Sequence, residues 1–164
     1  MVKKIVITVI AVIAAVAAYT FIVETEEDKV KKQFERVAEL AEKEAGETNL
    51  AMANKSRQIG AMVTDPVTVT IPEYHASGSY PRQEITRRMA MGRTRFKQLS
   101  LEFFDLSVTI IDDTSADARV TAQVTGKKLN NQPFEGTHEL RCRLNKVEDE
   151  WLFNQVEVVD VLEK

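Results

Sequence analysis

The spacing of apolar residues along the chain predicts helices first and strands afterwards. From residue 26 to about residue 45, apolar positions recur every three or four residues with Lys and Glu between them, which is typical of an amphipathic helix. A second helix is predicted to begin at Thr48 or Asn49 and to end near Met62, before the helix-breaking pair Asp65-Pro66. Two consecutive helices are therefore expected ahead of any strand.

A short strand and a third helix are predicted next. Apolar residues alternate with threonine from Val67 to Ile71, which predicts a half-buried strand that Pro72 ends. After a turn or brief hairpin around Gly78, a helix is predicted to begin near Pro81, because proline suits a first helical turn. The apolar residues expected on its buried side are Ile85, Met89, Phe96 and Leu99.

The predicted third helix is strongly basic. Its positively charged residues are Arg82, Arg87, Arg88, Arg93, Arg95 and Lys97. Such a helix is either a solvated surface of an otherwise acidic chain or a surface that contacts acidic lipid headgroups or an acidic partner. The sequence leaves both interpretations open.

The remaining sequence alternates apolar and polar residues with a period of two, which predicts four strands and an α+β fold class. The strands cover about residues 99–111, 118–124, 134–147 and 151–158. In the last strand the apolar positions change parity between Phe153 and Val156. This change predicts a β-bulge near Asn154 or Gln155.

Parity along the strands also predicts which side chains point inward. Phe104 shares the face of Leu106, and His138 shares the face of Leu140 and Cys142. The histidine is therefore either a strand residue satisfied by a hydrogen bond or a residue that faces a cavity. Cys142 is the only cysteine, which excludes an intramolecular disulfide and favours a buried, inert thiol.

The N-terminal residues predict a membrane anchor. Ile5 to Val23 is an uncharged apolar run that would span about 28 Å as a helix, close to the ~30 Å hydrocarbon core of a bilayer. Lys3 and Lys4 precede it, so the N-terminus is expected in the cytoplasm. The chain is thus expected to divide into an anchor at residues 1–25 and a domain at residues 26–164. We expect a single-pass protein of the inner membrane whose domain faces the periplasm or the cell exterior.

A cleaved signal peptide is the alternative interpretation of this segment. Ile5 to Ile13 would form its apolar region, and Ala15-Val16-Ala17 has the small-x-small pattern of a cleavage site. The domain would then be secreted. Both interpretations place the domain outside the cytoplasm.

Charge and residue types argue against several kinds of partner. The net charge is -3, and an acidic domain is not expected to bind nucleic acid nonspecifically. His75 and His138 are widely separated and accompany a single cysteine, so no metal-ligand spacing is present. The sequence also lacks a glycine-rich phosphate loop and a serine nucleophile motif. We expect no metal, no cofactor and no nucleic-acid partner.

Three short segments, taken in their order along the chain, resemble a known superfamily. They are Val67-Thr-Val-Thr-Ile-Pro72, Gly78-Ser-Tyr-Pro-Arg-Gln-Glu-Ile85 and Asp149-Glu-Trp-Leu-Phe153. From about Glu26 to Leu162 the chain resembles the nuclear transport factor 2-like (SnoaL-like) superfamily, including bacterial members with an N-terminal apolar segment. The resemblance implies a cone, in which three helices pack on a strongly bent, mostly antiparallel sheet that often leaves an apolar pocket.

The resemblance also suggests where catalytic residues would lie. The superfamily contains ketosteroid isomerase and dehydratases, which need a carboxylate or histidine base near the pocket. The position that corresponds to the isomerase base, just before a proline, is occupied here by Ile71. An aliphatic side chain cannot abstract a proton, so no catalytic residue is predicted. The residues expected to line a pocket are Phe34, Ile71, Tyr74, Phe104, His138, Cys142 and Trp151.

The leading functional hypothesis is a membrane-tethered, noncatalytic domain that binds a protein partner or an apolar small molecule. An isomerase, lyase or hydrolase that uses His138 is the first alternative. A subunit of an envelope transport or secretion complex is the second, since membrane-anchored domains of this fold occur in such assemblies. A homodimer formed through the outer face of the sheet is compatible with each of these hypotheses.

Overall fold

The structure, a computed structural model, describes residues 24–72 and 76–159. This part of the chain contains three helices: α1, Glu26–Ala41; α2, Asn49–Ala61; and α3, Arg82–Arg93. It also contains six strands: β1, Val63–Ile71; β2, Ala76–Tyr80; β3, Phe96–Asp112; β4, Ser115–Lys128; β5, Pro133–Val147; and β6, Glu150–Val159. The predicted order of elements is confirmed, and β2 takes the place of the expected turn or hairpin.

The strands described form one mixed sheet in the order β2-β1-β6-β5-β4-β3. β1 runs parallel to β6, and every other neighbouring pair is antiparallel. Arg143 pairs with Gln155 whereas the next residue, Leu144, pairs with Phe153, so Asn154 is an extra residue on β6. The predicted bulge in the last strand is therefore confirmed.

Helix α1 covers the inner face of the sheet and supplies the middle of the core. Val30 and Phe34 on α1 are fully buried and pack with Val120, Leu144 and other apolar residues of the strands. The helix begins at a capping box, in which Thr25 and Asp28 each accept a hydrogen bond from the other's backbone N–H. α2 and α3 pack against each other and against β1.

Two element boundaries near the first helices differ from the prediction. α1 ends at Ala41 rather than near residue 45. Asp65-Pro66 lies inside β1, although it was expected to follow a helix and precede the strand. β1 pairs with β6 at Val63 and then not again until Thr68. Pro66 lies in this unpaired stretch, so its missing backbone N–H breaks no hydrogen bond between the two strands.

The third helix is shorter than predicted. α3 ends at Arg93, and Phe96 and Leu99 belong to β3, where they pair with Lys128 and Gly126 of β4. The apolar positions that continued the helical period are therefore strand positions. Pairing with β4 decides the structure of this segment over its local pattern.

A buried arginine joins the C-terminal ends of α1 and α3. The side chain of Arg93 is 1% exposed, and its Nη1 donates to the carbonyl oxygens of Leu40 and Ala41 at 2.9 and 2.7 Å. Its Nη2 donates to the carbonyl oxygen of Glu42 at 3.0 Å and to the Glu47 carboxylate at 2.7 and 2.8 Å. Carbonyls in the last turn of a helix lack helical partners, so Arg93 both caps α1 and forms a buried ion pair.

Lys55 completes the environment of Glu47. Its Nζ lies 3.0 Å from Glu47 Oε1 and donates to the carbonyl oxygen of Glu42 at 2.8 Å. Burial opposes ionisation of Glu47, but the hydrogen bonds from Arg93 and Lys55 outweigh it and lower the pKa of the carboxyl group. Glu47 is therefore a carboxylate at neutral pH.

The basic residues of α3, expected on one solvated or partner-binding surface, do not all lie on the surface. Arg93 is buried, and the guanidinium of Arg82 donates to a backbone carbonyl of β1 at 3.0 and 3.2 Å. Arg87 and Arg88 both pair with Glu84 on the same helix. Each of the four arginines of α3 thus has a hydrogen-bond or ion-pair partner within the domain.

Trp151 joins β6 to the beginning of α1. Its indole is buried, and Nε1 donates to Glu26 Oε2 at 2.7 Å. Hydrogen bonds from Lys29, Trp151 and Lys146 lower the pKa of Glu26 to about 2. Glu26 therefore accepts these hydrogen bonds as a carboxylate throughout the neutral and mildly acidic range.

α2 and α3 approach each other closely at Gly60. A Cβ atom at this position would lie 2.0 Å from Oγ1 and 3.2 Å from Cβ of Thr86. Gly60→Ala is expected to lower the free energy of unfolding by about 1–3 kcal/mol, because either Thr86 Oγ1 must give up its hydrogen bond to the carbonyl oxygen of Arg82 or α3 must shift. Urea denaturation followed by circular dichroism measures this change.

Gly92→Ala is the matched control for Gly60. A Cβ at Gly92, also within a helix, meets no atom within 4 Å. Alanine is a better helix former than glycine, so this variant is expected to be more stable by about 0.5–1 kcal/mol. Similar destabilisation of both variants would contradict the close approach of the two helices at Gly60.

Candidate functional site

A cavity of about 340 Å³ lies between the helices and the inner face of the sheet. The helices contribute Phe34, Val37, Ile59 and Met89 to its lining. β3 and β4 contribute Leu101, Phe103, Ala122 and Val124. β5 and β6 contribute His138, Leu140, Cys142, Phe153, Val156 and Val158. Nearly all of the surface that faces this space is carbon.

Small residues on the central strands leave room for the cavity. Ala122 on β4 lies between Phe103 of β3 and His138 of β5 in one row across the sheet. In the neighbouring row, Val124 faces Gly136, which has no side chain. Larger residues at these positions would project into the space in front of α1.

An aromatic cluster forms the wall of the cavity on the side of α1. The ring of Phe34 meets Phe103 edge to face at a centroid distance of 5.4 Å and meets Phe153 in the same way at 5.0 Å. This geometry is favourable for aromatic pairs and holds the three rings in defined orientations. The three rings therefore form one continuous apolar wall of the cavity.

The titratable side chains that line the cavity, within the residues described, are His138 and Cys142. Burial raises the pKa of the Cys142 thiol to about 12. This sulfur is therefore protonated at neutral pH, and it is not an activated nucleophile. His138 is half-buried, and its imidazole faces the cavity.

Three of the predicted pocket residues lie together at the cavity. Phe34, His138 and Cys142 all line it. Ile71 is half-buried at the end of β1 and is not part of the lining. Tyr74 lies outside the described residues.

Trp151 and Phe104 lie away from the cavity. Trp151 is buried where β6 meets the start of α1. Phe104 is on the outer face of the sheet and is 44% exposed, so its predicted inward orientation is wrong. The reason is a bulge at Asp105, which has a φ of 54° and shifts the pairing of β3 with β4. Before this bulge the inward residue is Phe103, which parity alone did not select.

The described residues contain neither a cluster of metal-binding side chains nor a membrane-spanning helix. No group of three or more metal-binding side chains occurs within residues 24–72 and 76–159. In the same residues, no helix has the length and apolar character needed to cross a membrane. The predicted anchor from Ile5 to Val23 and His75 both lie outside the described residues.

Several solved structures are similar in fold to this chain. A nuclear transport factor 2-like protein with a cystatin-like fold from Novosphingobium aromaticivorans is similar, with a TM-score of 0.65 and 12% identity over 92% of this chain and 90% of that one. A proposed dehydratase of the nuclear transport factor 2-like family from Streptomyces avermitilis gives a TM-score of 0.64 and 13% identity, over 84% of this chain and 97% of that one. A proposed scytalone dehydratase from Novosphingobium aromaticivorans gives a TM-score of 0.66 and 13% identity, over 82% of this chain and 83% of that one.

These similarities define the fold as nuclear transport factor 2-like: three helices on a mixed six-stranded sheet, in the part of the chain described. The fold expected from the sequence resemblance is thus confirmed. Searches against protein-family models and curated proteins find no match to this chain. At identities of 12–13%, the similarity to solved structures extends to the fold and not to the activity.

Proposed function

We propose that this domain binds an apolar small molecule in the cavity between α1 and the sheet. The observation that carries the proposal is the lining: a cavity of about 340 Å³ bounded almost entirely by aliphatic and aromatic side chains. Ligand pockets typically measure about 300–1,000 Å³ and are mostly apolar, so this one suits a small ligand. Burial of the ligand's apolar surface would drive binding.

Binding without catalysis is the form of the proposal that the cavity chemistry supports best. Proton-transfer enzymes place a basic group within reach of the substrate. Ile71 has no such group, and the Cys142 thiol is held in its protonated form. His138 remains as the basic side chain in the lining, among the residues described.

Naphthalene, a rigid apolar probe, tests whether the cavity binds ligands. Titration of the isotope-labelled protein is expected to shift the methyl signals of Leu101, Val124 and Leu140, which line the cavity. The methyl groups of exposed Leu50 and Leu129 serve as internal controls and are expected to stay unchanged. Equal shifts in both groups, or none in the cavity group at saturation, would contradict the proposal.

An enzyme that uses His138 as a base is the second candidate function. The imidazole lies in the cavity wall beside the small residue Ala122, where it could reach a bound substrate. Two proteins of the same fold are proposed dehydratases. Turnover of a hydroxylated substrate that disappears in His138→Gln, with folding unchanged, would favour this candidate over a binding domain.

The apolar run from Ile5 to Val23 supports the further proposal that the domain is tethered outside the cytoplasm. Protease added to intact spheroplasts is then expected to digest the domain. Protection in spheroplasts, with digestion only after lysis, would contradict this topology. The mass of the mature chain separately distinguishes a retained anchor from a cleaved signal peptide.

A further inference from the structure

The geometry points to a ligand that is an aromatic or aliphatic molecule with a single hydroxyl group, which pairs with His138. This inference rests on the proposed function, because it concerns the ligand of the same cavity. Within the lining, His138 is the side chain with strong hydrogen-bonding atoms, and the rest of the wall is apolar. A ligand that fits this wall can therefore satisfy one polar group and no more.

The apolar wall disfavours ligands with more polar groups or a charge. Each additional buried polar group that finds no partner would weaken binding by about 10- to 100-fold. A carboxylate or sulfonate would lose its hydration and gain at most one imidazole as a partner, which does not compensate for burial of a charge. Sugars and nucleotides, which carry polar groups over most of their surface, are therefore poor candidates for this cavity.

The position of His138 makes its imidazole accessible to such a group. A Cβ built on Gly136, two residues earlier on the same face of β5, would come within 3.7 Å of Nε2. Because Gly136 has no side chain, this position, which lies between Nε2 and the Phe134 ring (3.7 Å to Cζ), is left unfilled. On the other side, Ala122 of β4 leaves room for the ligand to lie along the strand face.

A hydroxyl group is the polar group that best matches a neutral imidazole. One ring nitrogen of neutral histidine donates a hydrogen bond, and the other accepts one. A hydroxyl can accept from the first or donate to the second, so it pairs with either tautomer and either ring orientation. A ketone or ether can only accept, and it would match only half of these arrangements.

Three probes with one ring system test the inference: naphthalene, 2-naphthol and 2-naphthoate. Calorimetric titration of the wild-type domain is expected to give 2-naphthol an affinity about 3- to 10-fold higher than naphthalene, with 2-naphthoate the weakest. Equal affinity of naphthalene and 2-naphthol, or tightest binding of 2-naphthoate, would overturn the inference. Absence of naphthalene binding would instead contradict the proposed function itself.

Replacement of the imidazole shows whether His138 is the source of the preference. In His138→Leu, the affinity for 2-naphthol relative to naphthalene, both measured on the same variant, is expected to fall to about one. Retention of the preference in a folded His138→Leu variant would overturn the assignment.

A measurement on the wild-type protein avoids any effect of the substitution on folding. The ¹⁵N signals of the His138 ring are expected to shift with 2-naphthol and much less with naphthalene. His75 is the other histidine of the chain, and His75→Gln assigns the two sets of signals. Equal shifts with both probes would count against a hydrogen bond to the hydroxyl.

Discussion

Arg93→Met is expected to destabilise the domain by about 3–5 kcal/mol, although Arg93 lies in a run of basic residues that resembles a surface helix. The substitution removes a guanidinium that is 1% exposed and leaves the Glu47 carboxylate, 5% exposed, without its main partner. It also leaves the carbonyl groups of Leu40, Ala41 and Glu42 without the donor that caps α1. Urea denaturation followed by circular dichroism measures the loss.

Neighbouring substitutions separate the buried ion pair from a general effect of charge. Arg95→Met removes a positive charge from an exposed position two residues away and is expected to change stability by less than about 0.5 kcal/mol. The double variant Arg93→Met with Glu47→Leu is expected to recover part of the loss, because it leaves no buried carboxylate without the Arg93 partner. Equal effects of Arg93→Met and Arg95→Met would contradict the buried position of Arg93.

The ion pair also predicts how the stability of the wild-type domain depends on pH. Because the pKa of folded Glu47 lies below its ordinary value, the pair stabilises the fold above that ordinary value, near pH 4.5. This contribution is lost as the pH falls through the lowered pKa. The acid-induced loss of stability is therefore expected to be smaller in the double variant than in wild type.

Trp151→Ala is expected to cost about 3–5 kcal/mol. The indole is 1% exposed, packs in the central core and donates from Nε1 to Glu26 at 2.7 Å. Trp151→Phe keeps most of the buried ring but loses the donor, so an intermediate cost of about 1–2 kcal/mol is expected. Circular dichroism is the appropriate probe because the substitution removes the only tryptophan. A loss below about 1 kcal/mol in Trp151→Ala would contradict its place in the core.

The order of helices and strands is predictable from this sequence because each segment carries a strong local pattern. The bulge near Asn154 is also predictable, since the apolar residues Phe153 and Val156 cannot both face inward without one extra residue. The bulge at Asp105 is not, because Phe103 and Phe104 are adjacent and either could be the inward residue. The wrong choice put Phe104 in the predicted pocket and left Phe103 out.

Long-range partners account for the other differences. Arg93 and Glu47 are 46 residues apart in the chain, and nothing in the basic sequence around Arg93 marks it as buried. The end of α3 and the placement of Pro66 inside β1 likewise depend on pairing with β4 and β6. Local patterns do not contain this information.

The candidate site is predictable only in part. His138 and Cys142 follow from strand parity, and Phe34 follows from the helical period of α1. The open space depends on the combined small volumes of Ala122 and Gly136 on two different strands, which only the register of β4 and β5 brings together. The chemical character of the site therefore follows from the sequence, whereas the existence of a cavity follows from the packing.

Ligand affinity in a cavity-filled variant is the most direct measurement of whether this cavity binds apolar molecules. Ala122→Leu places a branched side chain inside the cavity, whereas Thr121→Leu places the same side chain at the next residue, on the outer face of β4. Naphthalene is expected to bind wild type and Thr121→Leu with affinities within about twofold, and Ala122→Leu at least about tenfold more weakly. Equal affinity for all three folded proteins would place the ligand elsewhere and contradict the proposed function.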